Sequence, residues 1–120
     1  MQNQKSALGL DANITALIGY IIWIVALVMI FIEKDNKFVR FHAFQSVLYG
    51  VGIFVLFIVL AIITTILAFV STTLASLFSL LYLLLWLVAV VGIILLAVKS
   101  YQGQMFKLPI IGDMAEKWSN

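Results

Sequence analysis

If a helix begins near Phe41, the side chains of His42, Gln45, Ser46 and Tyr49 fall on one stripe, at i, i+3, i+4 and i+7. Glu33 and Arg40 precede that stripe, and Lys99 and Gln102 form a second polar patch far along the chain. An imidazole beside a hydroxyl and a carboxylate is the raw material of acid–base or nucleophilic chemistry, and cations beside polar groups suit a phosphate headgroup. The pattern stops short of a hydrolase or a metal centre. There is one His and no Cys, no Ser or Cys nucleophile motif, and no second His or carboxylate at ligand spacing. Plainer roles compete: Glu33 paired with Arg40 or Lys99, Gln45 and Ser46 capping backbone, and Lys34, Lys37 and Arg40 facing anionic headgroups at about 1 kcal/mol each. We therefore expect no catalytic residue, no cofactor and no metal. Glu33, Arg40, His42, Gln45, Ser46, Lys99 and Gln102 are read as one interface or headgroup-binding mouth.

The elements that must position these residues are set by composition. The 120 residues are 65% hydrophobic and 10% charged, against about half apolar and a quarter charged in soluble domains. So much apolar surface needs lipid as solvent. Three charge-free runs stand out, at about 14–32, 47–70 and 74–98. A helix needs about 20 residues to cross a core of about 30 Å, and in lipid such runs must be helical. The expected fold is therefore all-α: a single membrane domain over 1–120, built as a three-helix bundle. An interfacial segment covers 33–46, where aromatic and basic residues alternate, and an irregular tail follows the third span. The first run is longer than a signal-peptide core of about 7–15 residues and lacks a small-residue cleavage site, so it is read as retained.

Boundary residues fit this plan. Asp11 or Asn13 is placed to cap the first helix and Thr73 the third. Gly103 is placed to end the third helix, and Pro109 to prevent helix from resuming near Leu108. Thr64, Thr65, Ser76 and Ser79 lie at comparable depths, bonded to their own i−4 carbonyls, forming an inter-helix clasp, or lining a small outward-facing solute pocket. Trp23 and Trp86, central in their runs, are expected to pack against other helices. Orientation follows from Lys and Arg. With three spans, six of the seven share one side, Lys5 alone being opposite. This predicts a plasma-membrane protein with its N-terminus outside and its C-terminus cytoplasmic.

Residue order adds a resemblance. EKDNKFVRFHAFQS (33–46), followed after two spans by AVKSYQGQMFKLPIIGDMAEK (97–117), resembles a family of small bacterial and archaeal membrane proteins of unknown function. That family is grouped with the Tic-twenty component of the chloroplast inner-envelope import translocon. The likeness runs from about Ala12 to Lys117, although the plastid component has four spans where three are counted here. The family pattern falls on Arg40, Phe41, His42, Gln45 and Ser46, and on Tyr101, Gly103, Pro109, Gly112 and Asp113. It implies that the first loop and the C-terminal tail work as a unit, which adds Tyr101, Pro109 and Asp113 to the candidate positions.

Two functions compete. One is a non-enzymatic subunit or assembly and translocation-type partner, acting through its cytoplasmic loop and tail on a membrane-protein partner or a second copy. The other is a homo-oligomeric passive channel for a small solute or ion. No ionisable residue lies inside a run, which argues against an ion-coupled transporter. A net charge of +2 is too small to suggest nucleic acid. The lipid bilayer and its anionic headgroups are the expected surroundings.

Overall fold

The computed structural model describes residues 5–120, and their regular structure is helical. The helices are α1 (Ala12–Ile21), α2 (Trp23–Ile32), α3 (Lys37–Val70), α4 (Thr72–Phe78), α5 (Leu80–Tyr101) and α6 (Ile111–Ser119). The chain forms two compact units. One contains the residues up to Gly50 together with Ile93–Asn120; the other is Val51–Gly92.

In the first unit the run 14–32, expected as one span, is broken at Ile22. Its φ and ψ of −113° and 95° are extended, and helix lies on either side of it. Each of the two helices has ten residues, about 15 Å of rise and half of what a crossing requires. They fold back on each other. Gly19 lies three residues before Ile22 and Ala26 three after Trp23, and a Cβ on Gly19 would sit 3.6 Å from that of Ala26. Small side chains at those positions let the two backbones meet. Ala12 and Ala16 of α1, Ala26 and Met29 of α2, and Phe38, Val39 and Ala43 of α3 then close one apolar core. No Pro or charge marks the break, so local sequence gave no sign of it.

The segment 33–46 is likewise not an interfacial ribbon. Asn36 caps a helix by accepting the Val39 N–H at 3.2 Å, so residues 37–46 are the first turns of α3. Their inward stripe, including Phe38, Phe41, His42 and Gln45, is buried. Asp11 stands at the start of α1 without a side-chain cap bond and instead pairs with Lys5. At the other end of the unit, α5 stops at Gly103, whose φ is 82°, as expected of a left-handed terminus. Residues 104–108 form a strap outside any helix. The tail then becomes helical at Ile111, against expectation. Pro109 blocks continuation of α5 but lies ahead of the new helix, where its missing N–H costs nothing. Gly112 packs on the strap so closely that a Cβ would come within 2.7 Å of the Lys107 Cα.

The second unit is a helical hairpin closed by Ser71, whose Oγ accepts the Leu74 N–H at 3.3 Å; Ser71, and not Thr73, is the cap. Thr64, Thr65 and Ser79 donate to the carbonyls of Leu60, Ala61 and Ala75 at 2.7, 2.8 and 2.9 Å. Their hydroxyls are used locally, which leaves the inter-helix clasp unformed. Phe57 stacks on Tyr82 with ring centroids 6.1 Å apart. Trp86 is 56% exposed, contrary to the expected burial. Trp23, in the first unit, is partly exposed but donates its indole N–H to the Val47 carbonyl at 3.4 Å. Among the described residues two helical stretches, Lys37–Val70 and Thr72–Tyr101, are long and apolar enough to cross a membrane. Only 6% and 11% of their most apolar windows are buried within the protein, so these are not the core helices of a water-soluble fold.

The contact between α1 and α2 makes a contrasting pair of predictions. Ala26→Leu adds bulk where there is no room and should cost about 1–3 kcal/mol, read as a lower midpoint of thermal unfolding in detergent. Gly19→Ala, whose new methyl meets only an ordinary van der Waals contact, should leave that midpoint unchanged or raise it.

Candidate functional site

The polar stripe of α3 faces inward and fastens three segments of chain. The Nε2 of His42 lies 3.0 Å from the Gln104 carbonyl oxygen. A carbonyl can only accept, so Nε2 carries the proton and the neutral ring offers Nδ1 as acceptor. Tyr20 of α1 fills that role, its hydroxyl 2.6 Å from Nδ1, and the same oxygen accepts from Gln45 Nε2 at 2.9 Å. Gln45 uses the rest of its amide on the strap. Its Nε2 donates to the Phe106 carbonyl and its Oε1 accepts the Leu108 N–H, both at 2.9 Å. These two backbone partners fix which end of the amide is oxygen. Rings of Phe38, Phe41 and Tyr20 stand edge-on to the imidazole, with centroids 4.5–5.3 Å away. Ser46 donates to the Gly19 carbonyl at 2.8 Å, satisfying one of the acceptors that the end of α1 leaves without an intrahelical partner.

Glu33, although only 4% exposed, makes neither expected ion pair. Its carboxylate accepts the Ala7 N–H at 2.7 Å and the Asn36 N–H at 3.3 Å. Arg40 instead spends its guanidinium on carbonyls, of Glu33 at 2.6 Å and Ser119 at 3.2 Å, while lying over the Phe44 ring. Trp118 of α6 meets the same ring edge-on. Arg40 therefore ties the end of α2 to the end of α6.

Of the positions singled out by sequence, Arg40, His42, Gln45 and Ser46 join this fastening, and Glu33 anchors the N-terminal arm. The remainder are peripheral. The Tyr101 side chain is exposed, and only its carbonyl is used, by Asn13 Nδ2 at 3.0 Å. Gln102 is exposed, and its side-chain oxygen lies 3.5 Å from Gln104 Nε2. Lys99 is half-buried in the last turn of α5, and Pro109 is exposed on the turn before α6. Asp113 lies 4.0 Å from Lys107, which also bonds Glu116 at 2.9 Å. That bond, and the two carboxylates nearby, hold the Lys107 ammonium above the usual lysine range. Sequence reasoning missed Tyr20. A lone phenol inside a charge-free run was the available signal, since a buried Tyr hydroxyl needs a partner. The strap carbonyls carry no side-chain signal at all.

Chemically, the arrangement is a clamp. Among the described residues no buried side-chain nitrogen or oxygen lacks a partner, and no three His, Asp or Glu side chains gather to hold a metal ion. A recess of about 580 Å³ separates the N-terminal arm from the loop after α2, lined by Lys5, Ser6, Glu33, Lys34, Asp35 and Asn36 among others.

Two long lipid-suited helices and a polar clamp at one end define the class: a small all-helical membrane protein. The chain belongs to the magnetosome magnetite crystal formation protein family, which it matches over residues 4–115. It is 39% identical over 116 residues to a UPF0132 membrane protein of Methanocaldococcus jannaschii, covering 96% of this chain and 94% of that relative. A second from the same archaeon is 31% identical over 113 residues, covering 93% and 73%. One from Archaeoglobus fulgidus is 31% identical over 106 residues, covering 88% and 92%. No solved structure matches the chain.

Gln45→Leu keeps the bulk but strips the Leu108 N–H and the Phe106 carbonyl of their partner. A cost of about 1–3 kcal/mol for each backbone group left both buried and unsatisfied should free the strap. Faster hydrogen exchange at the Leu108 amide and quicker tryptic cleavage after Lys107 are the expected readouts.

Proposed function

We propose that this protein is a non-enzymatic subunit or assembly and translocation-type partner in the cell membrane, working through the end that carries the loop after α2, the strap and α6. The observation that carries this reading is the surface of the strap and α6. Gly112, Ala115 and Ser119 of α6 are buried, while Met114 and Trp118 are exposed, as are Met105, Phe106 and Ile110 before it. Lys34, Lys37 and Lys117 are exposed at the same compact unit. An apolar face bordered by cations suits the headgroup boundary, with Trp at the interface and Lys toward anionic lipid. The weight of Lys and Arg at this end supports placing it in the cytoplasm.

In the second unit most apolar side chains are exposed, Leu60 and Ala75 being the buried ones. The Thr64, Thr65 and Ser79 hydroxyls are turned onto their own backbone. That surface favours lipid or another helix as its neighbour over a solute path, which needs a continuous polar stripe. The likeness to the plastid import component supplies the translocation-type part of the reading. The family description speaks of magnetite crystal formation; our proposal rests instead on the membrane-facing surface and the clamp.

Two measurements test it. In proteoliposomes the purified protein should pass no more small solute or ion than empty vesicles, and conduction by a clean homo-oligomer would overturn the reading. In native mass spectrometry the protein should retain anionic phospholipid in preference to zwitterionic lipid. The double substitution Lys34→Gln and Lys37→Gln should reduce that retention several-fold.

A further inference from the structure

We propose that Ala12–Ile32 is a re-entrant helical hairpin, entering and leaving the membrane on one side, so that the chain crosses the bilayer twice and both ends lie on the same face. This concerns how often the chain crosses. Which side that face is rests on the orientation proposed above.

Length is the first reason. Neither α1 nor α2 can cross alone, at about 15 Å each against a core of about 30 Å. The second reason is where their outer ends are held. The Ala7 N–H is bonded to Glu33 at 2.7 Å, so the residues before α1 meet the residue after α2. Asn13, in the first turn of α1, donates to the carbonyl of Tyr101 at the end of α5, at 3.0 Å. Start of α1, end of α2 and end of α5 are thus at one level. A straight helix over 14–32 would carry Ala7 roughly 28 Å or more from Glu33 and strip that buried carboxylate of a partner.

The tip is the third reason. Ile21, Ile22, Trp23 and Ile24 are 39–63% exposed, and four large apolar side chains at the turn of a hairpin suit hydrocarbon and not water. Trp23 bonds the Val47 carbonyl and lies against Gly50, ten to thirteen residues into α3. That is roughly 15–20 Å along the helix from Lys37, the depth of a half-crossing. A break at such depth is tolerated only when its backbone groups are paired. Here the Ile22 N–H reaches Ile18, the Ile22 carbonyl accepts from Val25, and Ser46 serves the Gly19 carbonyl. Fourth, the hairpin returns Lys5 to the face of the other six basic residues. All seven then share one side, and Val51–Gly92 holds no charged residue, a cleaner bias than three spans allow.

The chain has no cysteine, so single cysteines report without background. Ala7→Cys, Thr72→Cys and Asn120→Cys place one at each exposed end and one at the turn after α3. Each is treated in intact cells with a membrane-impermeant maleimide and scaled to its labelling after permeabilisation. The expected result is matching protection at 7 and 120 with labelling at 72. Labelling at 7 and 120 with protection at 72 would uphold the hairpin and reverse the proposed orientation. Position 7 responding like 72 and opposite to 120 would overturn the hairpin and restore three crossings.

Discussion

One amide joins most of the first unit. Through Gln45, α3 holds the Tyr20 hydroxyl of α1 on one side and two backbone groups of the strap on the other. In a water-poor interior an unpaired donor or acceptor is expensive, so each member of this set constrains the next. The Tyr20 hydroxyl, once it accepts from Gln45, directs its own proton to His42. His42 must then present its other nitrogen to Gln104. Strap, helices and imidazole tautomer are fixed together.

The same rule explains the turn at Ile22. Breaking a helix leaves backbone N–H and C=O groups that must find other partners. The break persists because Ser46 reaches the Gly19 carbonyl and because Gly19 and Ala26 let the two halves meet. Glu33 and Arg40 close the structure at its polar end by hydrogen bonds to backbone and not by pairing with each other. A charge satisfied by backbone dipoles can be buried without a counter-ion. This is how a carboxylate comes to sit almost wholly inside the unit beside three cations of the neighbouring sequence.

Parts of this were legible in the residues. The stripe His42, Gln45, Ser46 follows from helical spacing, and its approach to the tail was implied by the paired motifs at 33–46 and 97–117. The end of α5 at Gly103 followed from elementary backbone preferences, and local bonding of Thr64 and Thr65 was one of the readings left open. Tyr20 was visible in principle as a lone phenol in an apolar run. The strap was not, because Gln104, Phe106 and Leu108 take part through backbone groups that every residue carries. The helix at 111–119 was hidden by Pro109, which reads as a stop even when it stands just ahead of a start.

Composition alone determined that lipid is the solvent and helix the only economical structure, because so apolar a chain has nowhere else to hide its surface or its backbone. The long charge-free stretches after residue 46 likewise marked the two helices able to cross. Whether residues 14–32 formed one helix or two was settled only by tertiary structure. Nothing near Ile22 favours a break, and a 19-residue apolar run satisfies the length rule by itself. The decision lay in contacts between residues distant in sequence: Gly19 against Ala26, Ser46 with the Gly19 carbonyl, Ala7 with Glu33, and Asn13 with Tyr101. Local preference is worth tenths of a kcal/mol per residue, and several satisfied buried bonds outweigh it.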